Sequence, residues 1–176
     1  PSACEILDRV SLQVLKRYDP NLVLPSEGDV ILFEVDGTES SAREAAEQIM
    51  KVCVPLALSM SLAESEKEMA DIWAARKLVG AAVSRLDPTK SRIYVGEDVG
   101  VPIKQIPELL KRVQEIAEKF DLPAMKYGHI GDGNLHLALF IDVLNKDEWD
   151  RLNKAADLVH RTAIELGGTV SSEHGV

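Results

Sequence analysis

Three of the four histidines fall in two short segments near the end of the chain, and their spacing is the first sign of chemistry. The first segment is Gly128-His129-Ile130-Gly131-Asp132-Gly133-Asn134-Leu135-His136. Asp132-Gly133 favours a tight turn, because glycine takes positive φ without a Cβ clash. A hairpin centred there sets Gly131 against Asn134, Ile130 against Leu135 and His129 against His136. Directly opposed side chains share a face with Cβ atoms roughly 5 Å apart. Two imidazoles so placed could chelate one metal at ~2 Å per nitrogen. The same residues also fit an ordinary hairpin tip, with histidines on the surface or donating in a core. A phosphate-binding glycine loop fits less well, since the GxGxxG and Walker patterns are absent and no helix follows directly.

The second segment is Gly167-Gly168-Thr169-Val170-Ser171-Ser172-Glu173-His174-Gly175-Val176. By itself a Glu-His dipeptide after a short strand is compatible with a solvated loop. Beside the histidine pair, Glu173 could be a third ligand. Two histidines and one carboxylate leave a position open for water or substrate, as a catalytic metal requires. His174 would then be available as a base, starting from an unperturbed pKa near ~6.5. A third feature is Trp73-Ala74-Ala75-Arg76-Lys77. Arg76 follows Trp73 by three residues, so the two lie on nearly the same helix face. Its guanidinium could clamp a carboxylate with two parallel hydrogen bonds, or reach past the apolar stripe into water.

The elements that must hold these residues follow from hydrophobic period and punctuation. The spacing predicts a helix over Ala3–Tyr18, a strand over Val30–Val35, and a helix opened by the Ser41-Ala42-Arg43-Glu44 capping box and running to about Cys53. A strand over Val54–Met60 follows, then a helix from the Ser65–Glu68 box to about Val83. The second half reads as a strand (Arg92–Val99), a helix (Pro107–Phe120), two strands (Ala124–His129 and Leu135–Ile141), a helix (Asp147–Leu166) and a last strand (Thr169–Ser172). That β-α-β-β-α-β order is the split βαβ of an α+β, ferredoxin-like antiparallel sheet with helices packed on one face.

With 176 residues the chain is sized for one domain. A net charge of −9 argues against nucleic acid, which calls for a basic face. Cys4 and Cys53 form no CxxC pair, consistent with a reducing, cytoplasmic setting. No apolar run reaches the roughly 18 residues of a membrane span, and no signal peptide is visible. Pro1 at one end, and Val176 inside a glycine-containing segment at the other, read as a piece of a longer chain.

Together these segments resemble the C-terminal domain of FAD-linked oxidases, the family of D-lactate dehydrogenase, the glycolate oxidase flavin subunit and D-2-hydroxyglutarate dehydrogenase. The resemblance rests on Gly128-His129, Gly131-Asp132-Gly133-Asn134, His136, Gly167-Gly168-Thr169 and Glu173-His174-Gly175. Trp73 with Arg76, Glu97-Asp98-Val99 with Val101-Pro102, and Glu5 with Asp8 support it. It implies that residues 1–176 are the substrate domain of a two-part enzyme, with FAD held mainly by an N-terminal domain outside this chain. The implied reaction oxidises a 2-hydroxy acid, such as D-lactate or glycolate, to the 2-oxo acid. In family members that use a metal, typically zinc, the ligands correspond to His129, His136 and Glu173. His174 is the implied base, Arg76 the implied catalytic carboxylate clamp, and Lys90 and Asn134 further substrate contacts. The implied partners are the small substrate, the flavin domain and an electron-acceptor protein or quinone, through which the enzyme meets a membrane. A homodimer is left open. The isolated chain is expected to be inactive. The alternatives are a non-catalytic ferredoxin-like ligand-binding or regulatory module, which leaves both histidine motifs unexplained, and a metal-free member whose histidines bind substrate directly.

Overall fold

A computed structural model describes residues 1–83, 87, 89–93 and 96–175. Its elements, in chain order, are β1 (Ala3–Leu7), α1 (Arg9–Tyr18), β2 (Val30–Glu34), α2 (Glu39–Cys53), α3 (Glu66–Val83), β3 (Ser91–Ile93), β4 (Asp98–Gly100), α4 (Ile106–Lys119), β5 (Ala124–Gly128), β6 (Asn134–Ile141) and α5 (Lys146–Glu165). Every strand pairing among them is antiparallel, in the order β2-β1-β5-β6-β3, with β4 also on β6.

The α+β class and the antiparallel sheet agree with the sequence reading. Thr169 makes a bridge to Gly100 on β4, so the order Thr169-β4-β6-β5 reproduces the split βαβ. β1 and β2 extend that layer beyond β5. Helices α4 and α5 share one face, where Leu109, Val113, Leu152 and Val159 pack on Leu135, Leu137, Leu139 and Ile141 of β6. The first half of the chain covers the opposite face, where α1 and α3 set Leu15, Val79 and Val83 against Tyr127, Ala138 and Phe140. All eight residues of β6 are therefore buried, and full burial of each large aliphatic contributes about 1.5–3 kcal/mol. His136 lies on the α1/α3 face of this central strand.

Four local readings change. The helical spacing read over Ala3–Tyr18 holds only from Arg9. Ala3–Leu7 is a strand because it pairs along its whole length with β2 and at Ile6 and Leu7 with β5. Asp8 marks the switch, its carboxylate accepting the Ser11 N–H at 2.8 Å as the α1 cap. Thr38, three residues ahead of the expected capping box, caps α2. The strand expected over Val54–Met60 does not form. It finds no partner strand, Pro55 lacks an N–H, and Leu56 and Leu58 stand 83% and 79% exposed. The strand read over Arg92–Val99 is two short strands that pair with different halves of β6; Tyr94 and Val95 lie outside the described residues. The Ser65–Glu68 capping box forms reciprocally as expected, Ser65 N–H to Glu68 Oε2 at 3.0 Å and Glu68 N–H to Ser65 Oγ at 3.3 Å.

Cys4 and Cys53 are both free thiols. Among the described residues no helix is long and apolar enough to cross a membrane.

Candidate active site

The hairpin carrying the first histidine motif has its turn centred one residue earlier than expected, which shifts the pairing by two residues. Tyr127, not His129, stands opposite His136. His129 instead closes the turn, its carbonyl accepting the Asp132 and Asn134 N–H groups at 2.9 and 3.1 Å. Ile130–Asp132 form a short 3-10 turn, and Gly133 follows at φ +79°. A Cβ on Gly133 would run into the Val101 carbonyl, so only glycine fits. The turn is centred between Gly131 and Asp132 rather than on Asp132-Gly133, which makes His129 a diagonal neighbour of His136 on the same face. The two rings still meet edge to face with centroids 5.4 Å apart.

Glu173 completes the cluster. Its Oε1 lies 3.1 Å from His136 Nε2, 3.6 Å from His129 Nε2 and 3.4 Å from His174 Nε2. Three imidazoles thus turn the same nitrogen toward one carboxylate oxygen. In a tetrahedral site with ~2 Å bonds, neighbouring ligand atoms stand roughly 3.3 Å apart, close to these contacts with Glu173; the ligand atoms of Asp98, His136, Glu173 and His174 all lie within 4.8 Å of one another. Behind the cluster, each ring's other nitrogen faces a buried acid, the arrangement that orients metal-bound histidines. His129 Nδ1 is 2.6 Å from Glu5 Oε1, His174 Nδ1 is 3.0 Å from Glu97 Oε1, and His136 Nδ1 is 4.0 Å from Asp98 Oδ1. His136 Nδ1, Asp98 Oδ1 and Asn134 Oδ1 are buried polar atoms with no hydrogen-bond partner among the described residues. The donor types, imidazole nitrogens with a carboxylate oxygen, fit a bound metal.

Two of the acids also hold arginines. Glu5 Oε2 accepts from Arg76 Nε at 2.7 Å, and Glu97 Oε2 from Arg92 Nη2 at 2.6 Å. Both guanidinium groups lie over the Tyr127 ring, at 5.5 and 5.7 Å. Trp73 is pinned by its Nε1 donating to Glu34 Oε2 at 2.6 Å. The result is a cavity of about 410 Å³ lined by Trp73, Arg76 and Lys77 from α3, Arg92 and Tyr127 from the sheet, and His129, His136 and His174. Burial pushes the His136 imidazole below its ordinary range; Glu173 and Asp98 pull it upward, His129 and His174 downward. Burial thus favours the neutral ring, the form a ligand must have. Burial would raise the Asp98 carboxyl, but the N–H groups of His174, Ser172 and Glu173 and the Ser171 hydroxyl outweigh it and hold the group at about 2.

The family described as FAD linked oxidases, C-terminal domain, matches residues 1–176. The chain belongs to this family. Among the curated FAD linked oxidases it is 36% identical to glycolate oxidase subunit GlcD of Bacillus subtilis strain 168, over 100% of this chain and 37% of that protein. It is 28% identical to the Escherichia coli K12 subunit of the same name, over 100% and 35%. It is 30% identical to D-2-hydroxyglutarate dehydrogenase of Stutzerimonas stutzeri A1501, over 96% and 37%. The chain thus spans little more than a third of these relatives. Among solved structures, 4-ethylphenol oxidase from Gulosibacter chungangensis in its isoeugenol complex shares the fold, with a TM-score of 0.59 at 12% identity over 97% of this chain and 39% of that one.

Of the residues read from the sequence for this FAD linked oxidase domain, Arg76, His129, His136, Glu173 and His174 come together. Asn134 is buried beside them at the end of β6 but does not line the cavity. Lys90 does not join them. It precedes Ser91, which pairs with Ile141, five residues along β6 from His136 and roughly 16 Å away at ~3.3 Å per residue. Its Nζ bonds Glu148 Oε2 at 2.7 Å, so its expected part in substrate binding is withdrawn. Arg92, Lys77 and Tyr127 line the cavity and were not among the expected site residues. Glu5, Glu97 and Asp98 were legible only as family markers; what makes them site residues is the imidazole or amides each one faces.

Proposed function

We propose that this chain is the substrate-binding part of an FAD-dependent enzyme that oxidises a small 2-hydroxy acid to the 2-oxo acid. What supports this reading above all is the convergence of three imidazole Nε2 atoms on Glu173, with Arg76 on the wall of the same cavity. Arg76, its Nε held by Glu5, turns its terminal nitrogens to the substrate carboxylate in a bidentate clamp. That fixes C2 and its hydroxyl near the histidines, and positioning of this kind can supply several kcal/mol of the barrier. His129, His136 and Glu173 would hold a divalent metal, zinc by donor type, which lowers the pKa of a bound hydroxyl and stabilises the alkoxide charge. His174 accepts the hydroxyl proton at Nε2, and Glu97 at its Nδ1 stabilises the imidazolium so formed. FAD, held mainly by a part of the protein beyond this chain, would supply the hydride acceptor that lets the C2–O bond become a carbonyl. A protein acceptor or a quinone would take the electrons onward. A cytoplasmic setting belongs to the same reading.

The test is anaerobic reduction of the flavin in the full-length protein by glycolate, D-lactate and D-2-hydroxyglutarate. One of them should bleach the flavin, and Arg76→Ala should raise the concentration required by about 100-fold or more. Chelator treatment should abolish bleaching, and added zinc should restore it. No bleaching by any 2-hydroxy acid, with FAD bound, would sink the reading. Full activity in chelator would favour histidines that bind substrate directly.

A further inference from the structure

Asp98 meets Glu173 and His174 through their backbone. One oxygen, Oδ2, accepts the N–H groups of Ser172, Glu173 and His174 at 2.9, 3.0 and 2.9 Å, and the Ser171 hydroxyl at 3.1 Å. Three successive amides wrapped round one anion form a nest, here closed by a carboxylate of the same chain. The Asp98 backbone takes part as well, its carbonyl accepting the Ser172 N–H at 3.0 Å. The other carboxylate oxygen, Oδ1, faces His136 Nδ1 at 4.0 Å. Asp98 is 5% exposed and sits opposite His136 in the β4–β6 ladder.

Glu173 and His174 belong to no strand or helix, and their side chains are about half exposed. Among the described residues, the loop is tied to the sheet by these four bonds, by the Ser172 N–H to the Asp98 carbonyl and by the Thr169–Gly100 bridge, besides side-chain contacts within the cluster and the loop's own bonds from Thr169 and Ser171. A free loop of this length would sample many conformations and present the Nε2–Oε1 arrangement only rarely.

We propose that Asp98 is a positioning residue, whose carboxylate templates the Glu-His loop through its amides while facing the strand histidine, and so assembles the two halves of the site. Asp98 has a ligand atom within 4.8 Å of those of His136, Glu173 and His174, but its Oδ2 is taken up by the loop amides and its Oδ1 faces His136 Nδ1, the nitrogen turned away from Glu173. It acts through Glu173, His174 and His136, and a carboxylate in this place serves where an apolar or longer side chain would not. The metal arm of the test rests on the function proposed above; the loop arm does not.

The experiment compares Asp98→Ala and Asp98→Asn with the unaltered 176-residue chain, by amide hydrogen exchange and by zinc titration. In Asp98→Ala the Glu173 and His174 amides should exchange about tenfold faster or more, while Ser172 keeps its bond to the backbone carbonyl of residue 98 and Leu137 and Leu139 of β6 are unchanged. Zinc affinity should fall about 10- to 100-fold. Asp98→Asn keeps size and an acceptor oxygen but loses the charge, and should lie between the two. It carries the test if the alanine variant does not fold, with a several-fold rise confined to the loop amides as the supporting result. Unchanged loop exchange, or a rise spread equally over β6, overturns the proposal. If the unaltered chain binds no zinc, the metal reading fails while the exchange comparison still decides the role of Asp98.

Discussion

Glu5 holds two functional side chains at once, one oxygen on His129 and one on Arg76, at 2.6 and 2.7 Å. It is 4% exposed. Removing such a partner leaves a buried guanidinium uncompensated, a change that costs about 3–5 kcal/mol. Glu5→Ala should therefore lower urea-unfolding stability by about 3 kcal/mol and, in the full-length enzyme, raise KM more than it lowers kcat. His129→Ala and His136→Ala should each lower zinc content strongly, measured by metal analysis after dialysis. His160→Ala, on α5, which packs on the other face of the sheet from this cluster, should leave zinc content unchanged.

Among the elements, β4 decides whether the last segment docks. A Cβ on Gly168 would collide with the Gly100 carbonyl, which accepts the Thr169 N–H at 2.8 Å. Gly168→Ala should break this bridge and speed exchange of the Thr169 amide, while the β5–β6 amides keep their protection. At the far end of β6, Glu148 fastens the start of α5. Its Oε2 accepts from Lys90 Nζ at 2.7 Å and from the Asp142 N–H at 2.9 Å. These bonds hold its carboxyl below the ordinary range, the Lys90 hydrogen bond foremost. A carboxyl depressed in the folded state adds stability above its unfolded value, and loses that contribution as pH falls toward the folded one. Glu148→Gln should lose about 1 kcal/mol at pH 7 and have a shallower loss of stability below about pH 4.5. Urea unfolding across that range checks the sign.

At the scale of the whole molecule, the cavity opens on one face of a sheet whose other face is filled by α4 and α5. Arginine, lysine, tryptophan and histidine line it, and the Gly-rich phosphate patterns that cradle a dinucleotide are absent from the sequence. The 176-residue chain supplied with free FAD should therefore not oxidise D-lactate, glycolate or D-2-hydroxyglutarate, measured by dye reduction. Turnover there would mean that the chain itself holds the flavin productively.

Periodicity and punctuation made most elements legible. The run Leu135–Ile141, the Pro107 helix start, the helix beginning near Asp147 and the Ser65–Glu68 box are local signals, and local physics suffices to read them. The types of the chemistry-bearing residues were equally plain, since histidines, a glutamate and an arginine at those spacings announce themselves. Register was not. Shifting the turn by one residue replaces His129 with Tyr127 opposite His136, and that choice was settled by Gly133 packed under the Val101 carbonyl, a contact between segments more than thirty residues apart. Ala3–Leu7 carried a helical spacing, yet pairing with β2 and β5 made it a strand and put Glu5 behind His129. Lys90 looked near in sequence to the Glu97-Asp98 pair but follows a different half of β6. The sequence by itself determined which groups were available and most of the helices and strands that carry them. Only the tertiary structure decided which of them share a cavity, because that depends on strand register and on buried carboxylates whose partners lie 70 to 125 residues away.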